Sequence, residues 1–388
     1  MLVDDADRYS RLRLIGWWDQ SRLAAARILV IGAGALGNEV LKNLALVGVG
    51  TIHVVDFDLV EAANLTRSVL FRERDCGQPK AIVAAAALRD VNPDTRVVPL
   101  ACNVLTDVGL GLFQDADVVI ACLDNREARL WVNRQCWKVG RPWIDAGIQE
   151  INGVVKVFVP PDSACYECGM TENDYRLINL RYSCPLLRRD DMQAGKVPTA
   201  PTIASVIGGL QAQEALKLLH GLPVAAGEAV VFNGVTNQLY RTAFQRREDC
   251  LSHEVYRGTR EIPLAASEDS PSELFATVRQ FLDADGPLRL VLDRDLVVAI
   301  DCPSCHHSRP VMRPLPAVGS ALGKCPHCDR IGKPVLQHGI EEHDPLAHEP
   351  MARLGIPLYD IVRVASSQGE LTFLLAGDRT RVLDPARV

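Results

Sequence analysis

The chain lacks a positive excess. Its 42 Lys and Arg stand against 48 Asp and Glu, a formal net charge of -6 over 388 residues. No overall basic field invites nucleic acid, so none is expected as a partner. It also lacks a long hydrophobic run. No stretch approaches the roughly 18 apolar residues of a membrane span, so no membrane association is expected. The opening Met1-Leu2-Val3-Asp4-Asp5 is acidic and has no apolar core, unlike a secretory leader. The expectation is a cytoplasmic protein. Internal repeats and low-complexity tracts are missing too. What remains is ordinary globular composition, 48% hydrophobic and 23% charged, with length enough for two domains.

Cysteine is not scarce. Six of the twelve form three C-x-x-C pairs, and a seventh heads a C-x-x-H pair. In a reducing compartment such close pairs read as metal ligands rather than disulfides. Cys302-Pro303-Ser304-Cys305 and Cys325-Pro326-His327-Cys328, separated by 19 residues, form a zinc-ribbon pattern, closed and structural. Cys165-Tyr166-Glu167-Cys168 and Cys250-Leu251-Ser252-His253 are two further knuckle-spaced pairs. Cys184 pairs with nothing nearby. Its segment, from Asn179 to Pro201, is polar, long and non-periodic, which favours a functional loop. Arg181, Arg188 and Arg189 make it electropositive, a setting that lowers a thiol's pKa. Cys76, Cys102, Cys122 and Cys136 sit in or beside apolar segments and read as residues without a role.

Hydrophobic periodicity organises the first half. Residues 8–26 suggest one or two short helices. Arg27–Ile31 is a buried strand, Leu36–Val47 a helix stopped by Gly48, and Thr51–Asp56 a second strand. The alternation continues with a helix from Pro79 to about Asp90 and strands at Val97-Val98 and Asp117–Cys122. A helix near Glu127–Val139 and a strand at Trp143–Asp145 follow. This predicts an α/β fold, Rossmann-like, with a mostly parallel sheet covered on both faces. After Gly153 the pattern turns to β, at Val154–Val159, Ala229–Asn233 and Gln238–Phe244, around a strong helix Ile203–His220. Tyr256 to about Asp269 reads as a linker. Ser270-Pro271-Ser272-Glu273 is a capping box opening a helix to Leu282, and Leu288–Ile300 is strand-like. Two domains are expected, 1–257 with a crossover loop at about 179–201, and 258–388.

The glycine loop Gly32-Ala33-Gly34-Ala35-Leu36-Gly37 lies between the first strand and its helix, with Asp56 about 20 residues on. That is a dinucleotide fingerprint, and alone it suits a NAD or FAD enzyme. Two cations turn the reading. Lys80 follows Pro79 in the first turn of a helix, where a cation opposes the dipole by roughly 0.3–1 kcal/mol and a phosphate would remove the conflict. Arg67 follows a non-periodic stretch at the carboxyl edge, where such sheets bind ligands. Without context Lys80 can be a surface lysine, and Arg67 is equally a member of a surface ion pair. Asp124-Asn125 comes directly after the Asp117–Cys122 strand. Asp124 there can hold magnesium, cap the next helix, or both.

Taken together, Arg8-Tyr9-Ser10-Arg11, the glycine loop, Asp56-Phe57-Asp58, Asn64-Leu65-Thr66-Arg67, Gly77-Gln78-Pro79-Lys80 and Asp124-Asn125 with Arg129 resemble the ubiquitin-activating-enzyme-like superfamily. That superfamily includes the adenylyltransferases for sulfur carriers in thiamine and molybdopterin synthesis. The resemblance covers roughly residues 8–250, with six segments in matching order and spacing. It implies that Gly32, Gly34, Gly37, Asp56, Asp58, Asn64, Arg67, Lys80, Asp124 and Asn125 bind ATP and Mg2+. Within that set Asp56 takes the ribose, Asn64, Arg67 and Lys80 the phosphates, and Asp124 the metal. It implies that Arg11 is a finger reaching the ATP of the second subunit of a homodimer. It joins Cys165, Cys168, Cys250 and His253 into one structural Zn2+, which with the ribbon makes two per chain. It makes Cys184 the acceptor of the activated carboxyl as a thioester. Ser68 departs from the family, which often has Gln after the Arg.

The function so implied is ATP-dependent adenylation of the C-terminal carboxylate of a ubiquitin-like protein with a glycine tail, then transfer through Cys184. The appended domain tilts this towards conjugation, with a conjugating enzyme as a further partner. The alternatives are a sulfur-carrier adenylyltransferase and a non-catalytic scaffold half of a heterodimeric activating enzyme. Intact Arg67, Lys80 and Asp124 argue against the scaffold. A NAD oxidoreductase comes last, because hydride transfer needs no such cations.

Overall fold

The computed structural model describes residues 6–176, 198–281 and 286–385. By internal contacts the chain divides into two compact units. The first holds residues up to Val104, Phe113–Met170 and Val197–Val255. The second begins at Tyr256 and also takes Leu105–Leu112 and the stretch from Thr171.

The first unit is built on eight strands: β1 (Arg27–Ile31), β2 (Thr51–Val55), β3 (Arg96–Leu100), β4 (Val118–Ala121), β5 (Trp143–Gln149), β6 (Asn152–Phe158), β7 (Glu228–Asn233) and β8 (Gln238–Ala243). Their order is β3-β2-β1-β4-β5-β6-β7-β8. Strands β3 to β5 pair in parallel, and β5 to β8 extend the sheet antiparallel. The apolar run of β1 explains its place near the middle, with Ile28 to Val30 fully buried.

The helices are α1 (Gln20–Ala25), α2 (Ala35–Leu46), α3 (Lys80–Val91), α4 (Leu110–Asp115), α5 (Arg126–Lys138) and α6 (Pro201–His220). Helix α2 buries Val40, Leu41 and Leu44, and α3 buries the small Ala81, Ala84 and Ala85. Helix α6 meets α2 at Gly208, where a Cβ would fall 2.7 Å from the Cβ of Glu39. It ends at Gly221 in the left-handed region. The chain leaves β1 and β4 in opposite directions, so the sheet's switch point lies between their carboxyl ends. No described helix is long and apolar enough to cross a membrane.

The second unit carries β9 (Arg260–Ile262), β10 (Arg289–Asp301), β11 (Ser308–Pro314), β12 (Lys333–Glu341), β13 (Ile361–Ser366) and β14 (Gly369–Leu375), with α7 (Pro271–Val278). The expected capping box is present, Ser270 and Glu273 bonding reciprocally. One expectation fails here. The stretch read as a linker contains β9, which pairs in parallel with β14. Three residues are too few to show a period.

Leu105–Leu112 is held in this unit by a buried ion pair. Arg294 Nε donates to Leu105 O at 2.6 Å and Nη2 to Val108 O at 3.1 Å. Asp360, 3.5 Å from Arg294, accepts from the Leu110 amide at 2.6 Å.

Candidate active site

The glycine loop closes around the switch point. Gly32 has φ +99°, and a Cβ there would fall 2.4 Å from Cys122 O. A Cβ on Gly37 would fall 2.0 Å from Gly32 O. Both glycines are therefore fixed by backbone approach. Gly34 is different. It caps α2, and a Cβ on it would meet nothing within 4 Å. That open side, at a helix N-terminus, suits an anion.

A chain of carboxylates lines the same edge. Asp56 Oδ2 accepts from the Ala33 amide at 2.7 Å, and its Oδ1 from the Asp58 amide at 2.8 Å. Burial raises the Asp56 carboxyl, against the pull of the Ala33 N–H and Lys80. Lys80 is 8% exposed and opens α3. Its Nζ lies 3.0 Å from Asp58 Oδ2. The dipole conflict expected there is thus already offset by Asp58, without a phosphate.

Asn64 and Arg67 turn to local backbone. Asn64 Oδ1 accepts from the Glu61 amide at 2.9 Å, and Arg67 Nη1 donates to Ala63 O at 2.8 Å. Their segment is nevertheless tied to the loop by a residue the sequence analysis missed. Asn38, fully buried, donates from Nδ2 to Ala33 O at 2.7 Å and Gly34 O at 3.0 Å. Its Oδ1 accepts from the Leu70 amide at 2.8 Å. The available signal was an Asn directly after the third glycine.

Asp124 is exposed beyond β4, and Asn125 caps α5 through the Ala128 amide at 2.8 Å. Arg129 fixes this turn from beneath. Its Nη2 donates to Leu123 O at 2.6 Å and Ala146 O at 2.9 Å. Asp145, 1% exposed, lies 2.9 Å from Arg129 Nε and 3.5 Å from Lys156 Nζ. The Arg129 Nε contact is a charge pairing without hydrogen-bond alignment. Asp145 was foreseen only as a strand residue.

Arg11 stands elsewhere. Its neighbours Arg8 and Tyr9 bond Val91 O and Asn92 Nδ2, at the far end of α3 from Lys80. The 12 residues of that helix span about 18 Å, beyond an arginine's reach. Cys184 and its loop as far as residue 197 lie outside the described residues.

Both cysteine clusters assemble. Cys165 Sγ lies 3.6 Å from Cys168 Sγ and 3.5 Å from Cys250 Sγ, and Cys168 Sγ lies 3.4 Å from His253 Nε2. In the second, Cys302 to Cys328 is 3.4 Å and Cys305 to Cys325 is 3.5 Å. Within each set the ligand atoms all lie within 4.8 Å of one another. A tetrahedral ion with bonds of ~2.3 Å separates its sulfurs by about 3.8 Å, so both donor sets fit a metal. Backbone N–H groups of Cys305 and Ser304 pull the Cys302 thiol down to about 6, towards the thiolate that ligation needs. Of the other cysteines, Cys136 is buried, Cys102 and Cys122 are half-buried, and Cys76 is exposed. Burial raises the Cys122 thiol.

A glycine loop, an acid after β2, a lysine opening α3 and an acid after β4, on one edge of a parallel sheet, define a nucleotide-binding α/β protein of the phosphate-handling kind. The chain belongs to the ThiF family, which it matches over residues 6–252. It is 30% identical to adenylyltransferase and sulfurtransferase MOCS3 of Sus scrofa, over 97% of this chain and 84% of that protein. It is 34% identical to the sulfur carrier protein ThiS adenylyltransferase of Escherichia coli, over 64% of this chain and 96% of that protein. The crystal structure of E. coli MccB with ATP superposes with a TM-score of 0.53 at 27% identity. It covers 64% of this chain and 74% of that one.

Replacing Asn38 with Ala should leave buried groups of the glycine loop and Leu70 unsatisfied. The expected cost is about 1–3 kcal/mol, read from denaturant midpoints. An unchanged midpoint would show that the Asn38 bonds contribute nothing net.

Proposed function

We propose that this chain adenylates the C-terminal carboxylate of a ubiquitin-like sulfur-carrier protein, using ATP and magnesium. One observation carries the proposal. The glycine loop, Asp56, Asp58 and Lys80 form one connected chain of contacts at the switch point, with Asp124 on the neighbouring strand end. The names of the MOCS3 and ThiS relatives support a sulfur carrier over conjugation to a target. Transfer to a conjugating enzyme has no comparable support, and the reading does not need it.

The open face at Gly34 receives phosphate, and Asp56 receives the ribose hydroxyls. The carrier's carboxylate oxygen attacks the α-phosphorus of ATP. A phosphorus–oxygen bond forms, the bond to the bridging oxygen breaks, and pyrophosphate leaves with the electron pair. Lys80 and Arg67 stabilise the charge that gathers on it. Asp124 would hold magnesium, which neutralises phosphate charge. Arg11, whose neighbours sit at the far end of α3 from Lys80, acts on the site of a second subunit in a homodimer. The two cysteine clusters hold one structural zinc each.

ATP–pyrophosphate exchange should require both carrier and magnesium. Asp124→Ala should cut exchange by about 10²-fold or more with the thermal melt unchanged. Exchange at the wild-type rate would remove Asp124 from the metal site. Metal analysis should give two zinc ions per chain, and Cys168→Ser and Cys305→Ser should each lose a different one. One zinc in the wild type would leave one cluster vacant of role.

Cys184 divides two outcomes. Adenylation needs no thiol, so Cys184→Ala should keep exchange. If Cys184 accepts the acyl group, wild-type enzyme with ATP and carrier gives a higher-mass adduct on a non-reducing gel. Thiol reductant removes that adduct, and the Ala variant lacks it. Robust exchange without an adduct would leave the adenylate to be attacked directly by a sulfur donor.

A further inference from the structure

The first cysteine cluster encloses a charged residue that neither its ligands nor the nucleotide site employs. Glu167 stands between Cys165 and Cys168 and is fully buried. Its Oε1 accepts from Arg134 Nη2 at 2.8 Å, and its Oε2 from Arg134 Nε at 3.4 Å. The same Oε2 accepts from the hydroxyl of Ser252. Ser252, also buried, stands between Cys250 and His253. One carboxylate therefore bonds the inner residue of one ligand pair to the inner residue of the other, 85 positions apart.

Helix α5 supplies the rest. Asn133 Oδ1 accepts from the Tyr166 amide at 3.1 Å. The Trp137 ring stacks on that of His253, with centroids 5.3 Å apart and planes 22° from parallel. Residues 133, 134 and 137 share one helix face and together grip both pairs. Charge makes the arrangement demanding. Three thiolates and a neutral imidazole around a divalent ion leave one net negative charge. Glu167 adds a second negative charge out of water, tolerable only with a cation beside it. Arg134 is that cation.

We propose that Glu167, neutralised by Arg134 and bonded to Ser252, is a positioning residue that holds the two ligand pairs at metal distance and thereby sets zinc affinity. This rests on reading Cys165, Cys168, Cys250 and His253 as a zinc site. Outer-shell partners of this kind typically govern metal affinity by 10–100-fold. The carboxylate works through geometry, by fixing both ligand turns before the ion arrives. Its charge is a burden that Arg134 removes. The two partners are therefore not independent.

The test is zinc transfer from the full-length protein to a chromophoric chelator, with the Cys305→Ser variant used to assign the signal of the first cluster. Glu167→Gln should raise the dissociation constant of that cluster about 10–100-fold. Ser252→Ala should do so less, and the ribbon zinc should stay at wild-type affinity in both. Arg134→Met alone, which strands a buried negative charge, should lose more zinc affinity than the double variant Arg134→Met with Glu167→Gln. A packing role alone would make the two effects add. Wild-type affinity in Glu167→Gln, or additive losses in the double variant, overturns the proposal while leaving the zinc reading intact. A wild-type first cluster that takes up no zinc overturns both.

Discussion

The nucleotide edge depends on how closely three pieces of backbone approach at the switch point. Gly32 passes under Cys122 O, Gly37 passes under Gly32 O, and neither approach leaves space for a Cβ. Once β1, α2 and the end of β4 are pressed together, little freedom remains for what projects from them. Asn38 uses that proximity. From the first turns of α2 it bonds back to the loop and outward to Leu70. A residue with no place in the glycine pattern thus fixes the spacing between the loop and the segment that carries Asn64 and Arg67.

Charge is arranged on the same scaffold in pairs rather than singly. Lys80 rests on Asp58, and Asp58 in turn is oriented by Asp56 through its amide. Asp58 is half exposed, so its grip on Lys80 is screened and replaceable. Beneath Asp124 the situation is reversed. Asp145 is shielded from water, and Arg129 beside it is bonded into the backbone at Leu123 and Ala146, so this pair is screened far less. The first pair is open to water on its carboxylate side, and the second is closed to it on the Asp145 side.

Much of this was legible in the sequence for definite reasons. The α/β alternation showed because β1 and β4 are continuous apolar runs and α2 has a clean apolar stripe. The cysteine clusters showed because ligand spacing within a knuckle is local and fixed. The parts that did not show are those made by distant partners. Only its place directly after the third glycine marks Asn38, and nothing local marks Asp145 as a buried counter-charge or Glu167 as more than a spacer between two cysteines. Strand β9 escaped because three residues carry no period, and its identity comes from β14 more than a hundred residues later.

The second unit shows the same limit at the level of domains. A boundary near residue 258 is what the loss of period and the capping box imply, and the longest segment of the second unit runs on from Tyr256. Yet Leu105–Leu112, between β3 and β4 in the chain, also belongs to it. The cause is chemical. Gly109 and Gly111 allow the backbone to run against the Leu358 and Tyr359 carbonyls, where a Cβ would fall within 2.6 Å. Arg294 and Asp360 then satisfy the carbonyl and amide groups that this burial strands. Two small residues and one buried ion pair thus help hold eight residues across the linear boundary. An insertion of that kind is invisible to any reading that moves along the chain one segment at a time. It is specified by Arg294 and Asp360, which are themselves 66 positions apart.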